Sequence, residues 1–117
     1  MKTPKRSTLN NRLDKLFGQV VRKKRYCQRC GRHDNTLQTA HIFSRAYKSV
    51  RWEQDNAFCL CAGCHFWVHK NPILFAEFVL KLYGKAKYEA LKRKAKRVKK
   101  WQISELQTLV KKMQQML

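Results

Sequence analysis

The sequence predicts an α+β fold, a strand-loop-strand unit carrying most of the chemistry with helices on either side. Three observations predict it. Two Cys-x-x-Cys pairs, Cys27/Cys30 and Cys61/Cys64, bracket two short apolar segments. A helical apolar period runs before the first pair, and another returns in the last third of the chain.

In order, residues 1–8 are polar and basic and read as a loose arm. Leu9, Leu13, Leu16, Phe17, Val20 and Val21 follow helical spacing and predict an amphipathic helix over 9–24. Cys27, Cys30 and Gly31 then form a tight knuckle. Leu37–His41 reads as a strand, 42–56 as a polar, basic loop, and the wholly apolar Ala57–Leu60 as a buried second strand. The second cysteine pair leads into a helix carrying His65 and His69. Asn71-Pro72 is a cap followed by a first-turn proline. The helix it opens presents Phe75, Phe78, Val79 and Leu82 and stops at Gly84. A basic helix follows to about Lys100. Ser104 and Gln107 form a capping box for a last helix with Leu106, Leu109, Val110, Met113 and Leu117 on one face. That stripe suits either packing on the core or a homodimer through the C-terminal helix. The implied organisation is an arm (1–8), a core (9–72) and a helical basic extension (73–117).

The 117 residues hold 27 Lys and Arg against 7 Asp and Glu, a formal charge of +20. Such a chain is drawn to polyanions, because neutralising phosphates releases counterions. Nucleic acid, DNA above all, is the expected partner. No apolar run is long enough to span a bilayer and no lipidation signal is present, so a membrane is not expected. The start lacks the apolar region of a secretory signal, so the expected setting is cytoplasmic and reducing. There, paired cysteines favour a metal over disulfides. Cys27, Cys30, Cys61 and Cys64 offer four thiolates to one tetrahedral Zn²⁺, a closed and therefore structural site. Cys59, in the apolar Phe58-Cys59-Leu60 stretch, reads as a small packed hydrophobe.

His41, Asn56 and His65 occur in that order, the last directly after Cys64. This string resembles the HNH (His-Me finger, ββα-metal) endonuclease superfamily. The wider pattern looks like its phage NinG (Rap) recombination nuclease branch over roughly residues 13–95. It comprises Leu13-Asp14-Lys15-Leu16-Phe17, Ala40-His41-Ile42-Phe43-Ser44-Arg45, Arg51-Trp52 with Asp55-Asn56, and Asn71-Pro72 followed by Leu82-Tyr83-Gly84. The resemblance implies a small ββα-metal core beside the zinc, and hydrolysis of DNA phosphodiester bonds in duplex or branched recombination DNA. It implies that His41 is the general base, that Asn56 holds the loop and orients it, and that His65 binds a divalent ion. His69 lies one helical turn on and can be a second ligand. Many relatives carry a metal-binding Asp or His just before the base. Here that position is Ala40, which leaves the ion short of protein ligands. Mg²⁺ or Mn²⁺ is the expected ion, and the two imidazoles also suit Ni²⁺ or Zn²⁺.

Arg45, Lys48 and Arg51 stand between base and metal ligand, placed to hold phosphates. Residues 85–100 hold nine Lys or Arg and one acid, Glu89. Lys92, Arg93, Lys96 and Arg97 are the expected contacts to a duplex backbone. Trp52, Phe66 and Trp67 read as packing. Two other functions fit parts of the pattern. One is a non-catalytic zinc module that binds nucleic acid with a decayed nuclease site. The other is an interaction protein docking through its last helix.

Overall fold

The computed structural model describes residues 3–117, which excludes Lys2 and the start of the expected arm. Its elements are α1 (Arg6–Arg22), β1 (Gln38–His41), β2 (Ala57–Leu60), α2 (Ala62–Lys70), α3 (Pro72–Tyr83), α4 (Lys85–Ala95) and α5 (Ile103–Gln115). Two 3₁₀ turns, Lys48–Val50 and Gln54–Asn56, order the segment between the strands. The α+β class is as expected, with five helices around a two-stranded sheet.

The antiparallel strands pair Gln38 with Leu60, Thr39 with Cys59, Ala40 with Phe58 and His41 with Ala57. Neighbouring side chains on a strand point to opposite faces. Ala57 and Cys59 therefore enter one core, with Leu9, Leu13, Phe17 and Val21 of α1 and Leu106, Val110 and Met113 of α5. Ala40, Phe58 and Leu60 enter a second core with Val68, Phe75 and Val79 of α2 and α3. Helices cover both faces, which is why β2 is apolar at every position rather than at alternate ones. Phe58 anchors the second core, its ring 5.5–6.1 Å from those of Phe75, Phe78 and Tyr83. Each large side chain buried this way contributes roughly 1.5–3 kcal/mol.

The C-terminal apolar stripe is spent within the chain, since α5 lies along α1. Leu117, at its far end, stays exposed. α4 braces the 42–56 loop. Leu91 and Ala95 pack on Val50, the Ser49 hydroxyl donates to the Lys94 carbonyl, and Lys87 and Lys94 pair with Asp55 and Glu53.

Several boundaries differ from expectation. α1 begins at Arg6, which shortens the arm. The Asn71 side chain donates to the Trp67 carbonyl at 3.0 Å, so it closes α2 and does not cap α3. Pro72 does open α3, and Gly84 ends it at φ 82°, a conformation that favours glycine. The basic helix stops at Ala95, and Lys96–Lys100 form an irregular link. The last helix starts earlier than Ser104, with Glu105 Oε1 accepting from the Gln102 amide at 2.9 Å in place of the expected Ser104/Gln107 box. The reason lies just upstream, where Trp101 is tied to Lys48 and packs on Trp52, so the helix must begin close to it.

Candidate metal centre and histidine cleft

The two cysteine pairs reach one point by different local means. The first is a knuckle, in which the Gly31 amide donates to the Cys27 carbonyl and Gly31 adopts φ 79°. The second is the start of α2. Cys61 is its N-cap, and its Sγ accepts from the Cys64 amide at 3.4 Å. Gln28 joins the pairs by bonding Cys59 twice, its amide to the Cys59 carbonyl and its Oε1 to the Cys59 amide, both at 2.8 Å. The four Sγ atoms of Cys27, Cys30, Cys61 and Cys64 lie within 4.8 Å of one another. Cys30 Sγ and Cys61 Sγ are 3.8 Å apart. A tetrahedral zinc with bonds of about 2.3 Å needs sulfur separations of about 3.8 Å.

The chemistry of the thiols agrees with this geometry. Burial pushes the Cys27 thiol up, but amides of Cys30, Cys61 and Arg29 outweigh it and bring it down to about 6. Cys64 is pushed up to about 12 by burial, and the neighbouring thiols add to the rise. Four thiolates so close repel one another, and a dication is what lets all of them ionise. The donor set fits zinc. Cys59 is buried and outside the cluster.

Arg29 and Trp67 were not expected to have a part here. The Arg29 guanidinium lies 3.6 Å over the Trp67 ring and donates to Cys64 Sγ at 3.4 Å. A cation bonded to a thiolate offsets part of the negative charge of a four-cysteine site. Arg29 sits inside the Cys-x-x-Cys loop, which is its only visible signal in the sequence.

A cleft of about 440 Å³ lies along the unpaired edge of β1, between α1 and α2. It gathers His41, His65, His69 and Arg45, which the sequence singled out, and adds Asp14. His41 ends β1 on the α1 face, its ring 5.5 Å from that of Phe17. Its Nε2 is 3.1 Å from the Arg51 carbonyl. A carbonyl can only accept, so Nε2 carries the proton and Nδ1 keeps a free lone pair. Burial holds the His41 pKa below the usual histidine value, against the pull of the Arg51 carbonyl and with help from the Arg45 charge. His41 is therefore neutral at neutral pH.

His65 is held by Gln38, whose Oε1 lies 2.6 Å from its Nδ1. An amide oxygen accepts, so Nδ1 donates and Nε2 is left as a ligand atom. That Nε2 is 3.2 Å from Nε2 of His69. Burial, then the charges of His69 and His41, lower the His65 pKa. Gln38 was missed from sequence, because a polar residue at a strand start carries no signal by itself.

Asn56 is fully buried beneath the loop and lines no part of the cleft. Its Oδ1 accepts from the Phe43 amide at 2.8 Å, and its Nδ2 donates to the carbonyls of Phe43 and Val50 at 2.8 and 3.0 Å. Ala40 is 1% exposed in the second core, and its methyl group offers no donor to an ion beside His41.

The loop arginines converge on Asp14, a residue with no role of its own in the sequence pattern. Arg51 grips it with two bonds, 3.1 Å from Nε and 2.7 Å from Nη2, and Arg45 reaches it at 3.2 Å. Trp52 Nε1 donates to it at 2.9 Å. Burial raises the Asp14 pKa, but these bonds and charges outweigh it and the net shift is downward. Arg51 is thus committed to the fold, while Arg45 is exposed and keeps part of its donor set for a ligand. Lys48, Lys92, Arg93, Lys96 and Arg97 do not line the cleft. Trp52 is packing as expected, and Phe66 is exposed.

Fold and site together define a small, strongly basic α+β protein. A four-cysteine cluster able to hold a metal ion stands beside a cleft lined by three histidines. The chain belongs to the NinG family, since the family model described as Bacteriophage Lambda NinG protein matches residues 1–117. No curated protein and no solved structure matches it. Among the described residues no helix is long and apolar enough to cross a membrane.

Proposed function

We propose that this chain is a metal-dependent endonuclease of the HNH type that hydrolyses DNA phosphodiester bonds, with branched recombination DNA as its substrate class. The observation that carries the reading is the paired tautomers of one cleft. His41 presents a free Nδ1 while its Nε2 is fixed by a main-chain carbonyl, and His65 turns its Nε2 to that of His69 while its Nδ1 is fixed by Gln38. This supports a reading in which one imidazole serves as a base and the other as a ligand.

In this reading His41 Nδ1 takes the proton of the attacking water, as a neutral imidazole can near pH 7. The Arg51 carbonyl holds the ring in place and stabilises the imidazolium that forms. Arg45 turns its exposed guanidinium to the phosphate and neutralises charge there. Asn56 acts at one remove, keeping the 42–56 loop in the shape that aims the Arg51 carbonyl at His41. His65 and His69 would hold the divalent ion, which supplies positive charge at the phosphate and the leaving oxygen. Two facing imidazoles suit Mn²⁺, Ni²⁺ or Zn²⁺ better than Mg²⁺, which prefers oxygen donors. The four cysteines would hold a structural zinc that braces α2 and takes no part in the reaction.

The test is nicking of supercoiled and branched DNA by purified protein with Mg²⁺, Mn²⁺ or Ni²⁺, beside His41→Ala and His65→Ala. Wild-type protein should cleave, and loss of the base should slow it by roughly 10²–10⁴-fold. Equal cleavage by wild type and His41→Ala removes His41 from the mechanism. Salt-sensitive DNA binding without cleavage under any metal would instead favour a non-catalytic zinc module, the reading that Ala40 supports.

A further inference from the structure

The cations of the 42–56 loop divide between two clefts. Arg45 lines the histidine cleft. Lys48 and Arg51 line another, of about 340 Å³, with Arg6 of α1 and Lys99, Lys100 and Trp101 of the link into α5. Among the described residues no acidic side chain lines this second cleft. The histidine cleft, by contrast, contains Asp14, and a neighbouring groove of about 400 Å³ contains Glu53.

Trp101 holds the second cleft open. Its indole N–H donates to the Lys48 carbonyl at 3.0 Å, its own carbonyl accepts from the Arg6 guanidinium, and its ring stands edge-on to Trp52 at 5.6 Å. The Lys99 ammonium lies 4.7 Å from the Trp101 ring centre and pairs with Glu105 at 2.8 Å. Trp52 is buried, with its own N–H given to Asp14. The two indoles are therefore walls and not a platform for stacking bases. Lys48 and Lys100 remain, both exposed and without an ion-pair partner among the described residues. Cations gathered around a walled cleft without a carboxylate focus a positive field that an anion relieves.

We propose that this cleft is a second phosphate-binding subsite, taking the phosphodiester backbone of DNA through Lys48, Lys100 and Arg6 without reading bases. The two clefts adjoin through one ion pair. Asp14 lines the histidine cleft, and the Arg51 it grips lines this one. Backbone lying across both would be held on each side of the reacting phosphate, which fixes register without sequence preference. The inference rests on the reading of the chain as a DNA-binding nuclease.

The experiment compares three proteins binding a labelled duplex by fluorescence anisotropy over a range of salt. They are wild type, Lys48→Gln with Lys100→Gln, and Lys81→Gln with Lys111→Gln. The last pair removes the same charge from exposed lysines of α3 and α5 that line neither cleft. Glutamine keeps the first two methylenes of the stem, and the Lys48 carbonyl still accepts from Trp101, so matched thermal unfolding should show the fold intact. The subsite predicts that the slope of log K against log salt shrinks by about 2 in the Lys48/Lys100 variant, close to one per lost phosphate contact. Affinity near 0.1 M salt should fall roughly 50- to 100-fold, with a much smaller loss for Lys81/Lys111. Equal losses in the two variants would overturn the subsite and leave only general attraction to a +20 chain. Wild-type protein that fails to bind DNA at low salt overturns the DNA reading itself. Binding by wild type with indistinguishable variants removes the subsite alone.

Discussion

The cysteine cluster and the histidine cleft share one short helix, α2, yet they are built in opposite ways. Each cysteine pair shapes itself within four residues, by a glycine knuckle or a helix cap. One long-range step, the pairing of Gln28 with Cys59, then brings the two pairs together. The cleft has no such local units. Its His41 ring comes from β1, its paired imidazoles from α2, its guanidinium from the loop and its carboxylate from α1. A centre made of local motifs can survive drift in the rest of the fold. A cleft assembled from four elements depends on the buried groups that hold those elements in register.

That contrast can be tested by breaking each side at its weakest joint. The largest effect belongs to the cysteines. Cys64→Ser should abolish the cooperative thermal transition and the zinc content together, because metal binding and folding are one event in so small a site. A zinc-free Cys64→Ser protein with native circular dichroism and a native melting temperature would show that the cluster does not hold the fold.

Next comes Asn56→Ala. It removes three hydrogen bonds and leaves the Phe43 amide and the Phe43 and Val50 carbonyls short of partners in a buried place. Chemical denaturation should show a loss of about 3 kcal/mol. Cleavage should fall further than stability alone explains, because the loop aims the Arg51 carbonyl. A loss under about 1 kcal/mol would mean the loop holds its shape without this amide.

Arg29→Ala is smaller. It removes the guanidinium bonded to Cys64 Sγ and stacked on Trp67. Zinc transfer to a chromogenic chelator should show affinity lowered about tenfold, the lower end of what outer contacts to metal ligands contribute. Arg29→Lys should recover only part of this, since an ammonium keeps the charge but not the planar stack. Unchanged transfer in both variants would reduce Arg29 to a surface cation.

The smallest effect is on pH dependence. In the proposed mechanism the neutral form of His41 is the active one, so kcat/KM should decline as pH falls through its pKa. Burial places that pKa below the ordinary value of about 6.5. Arg45→Gln removes a charge that lowers it further, so the acid limb should move upward by a fraction of a unit. A wild-type acid limb above 6.5 would be the wrong sign for a buried base.

Much of the molecule could be read in advance where the signal was short-range. The spacing of Leu9, Leu13, Phe17 and Val21 gave the stripe of α1. The apolar run Ala57–Leu60 gave a buried strand, and Gly84 the end of α3. Errors fell at the caps of α3 and α5, where the bonding partner was chosen by a neighbouring element. The Asn71 side chain turned back to Trp67, and Trp101, tied to Lys48, set where α5 begins. The histidines of the cleft were legible as a pattern, but their tautomers were not. Gln38 lies 27 residues from His65 along the chain, and Asp14 lies 37 from Arg51. No spacing rule links residues so far apart.

By itself the sequence determined the two cysteine pairs, the charge that favours a polyanion, and the periodicities that make helices and strands. Each depends on residue type and on neighbours within a few positions. Tertiary structure alone decided which nitrogen of His41 and His65 carries the proton, because that depends on the acceptor that folding brings to it. It also decided how the loop cations divide, with Arg51 held by Asp14, Arg45 at the histidines and Lys48 in a second cleft. Charge is a property of the residue, but its availability to a ligand depends on which opposite charge the fold places beside it.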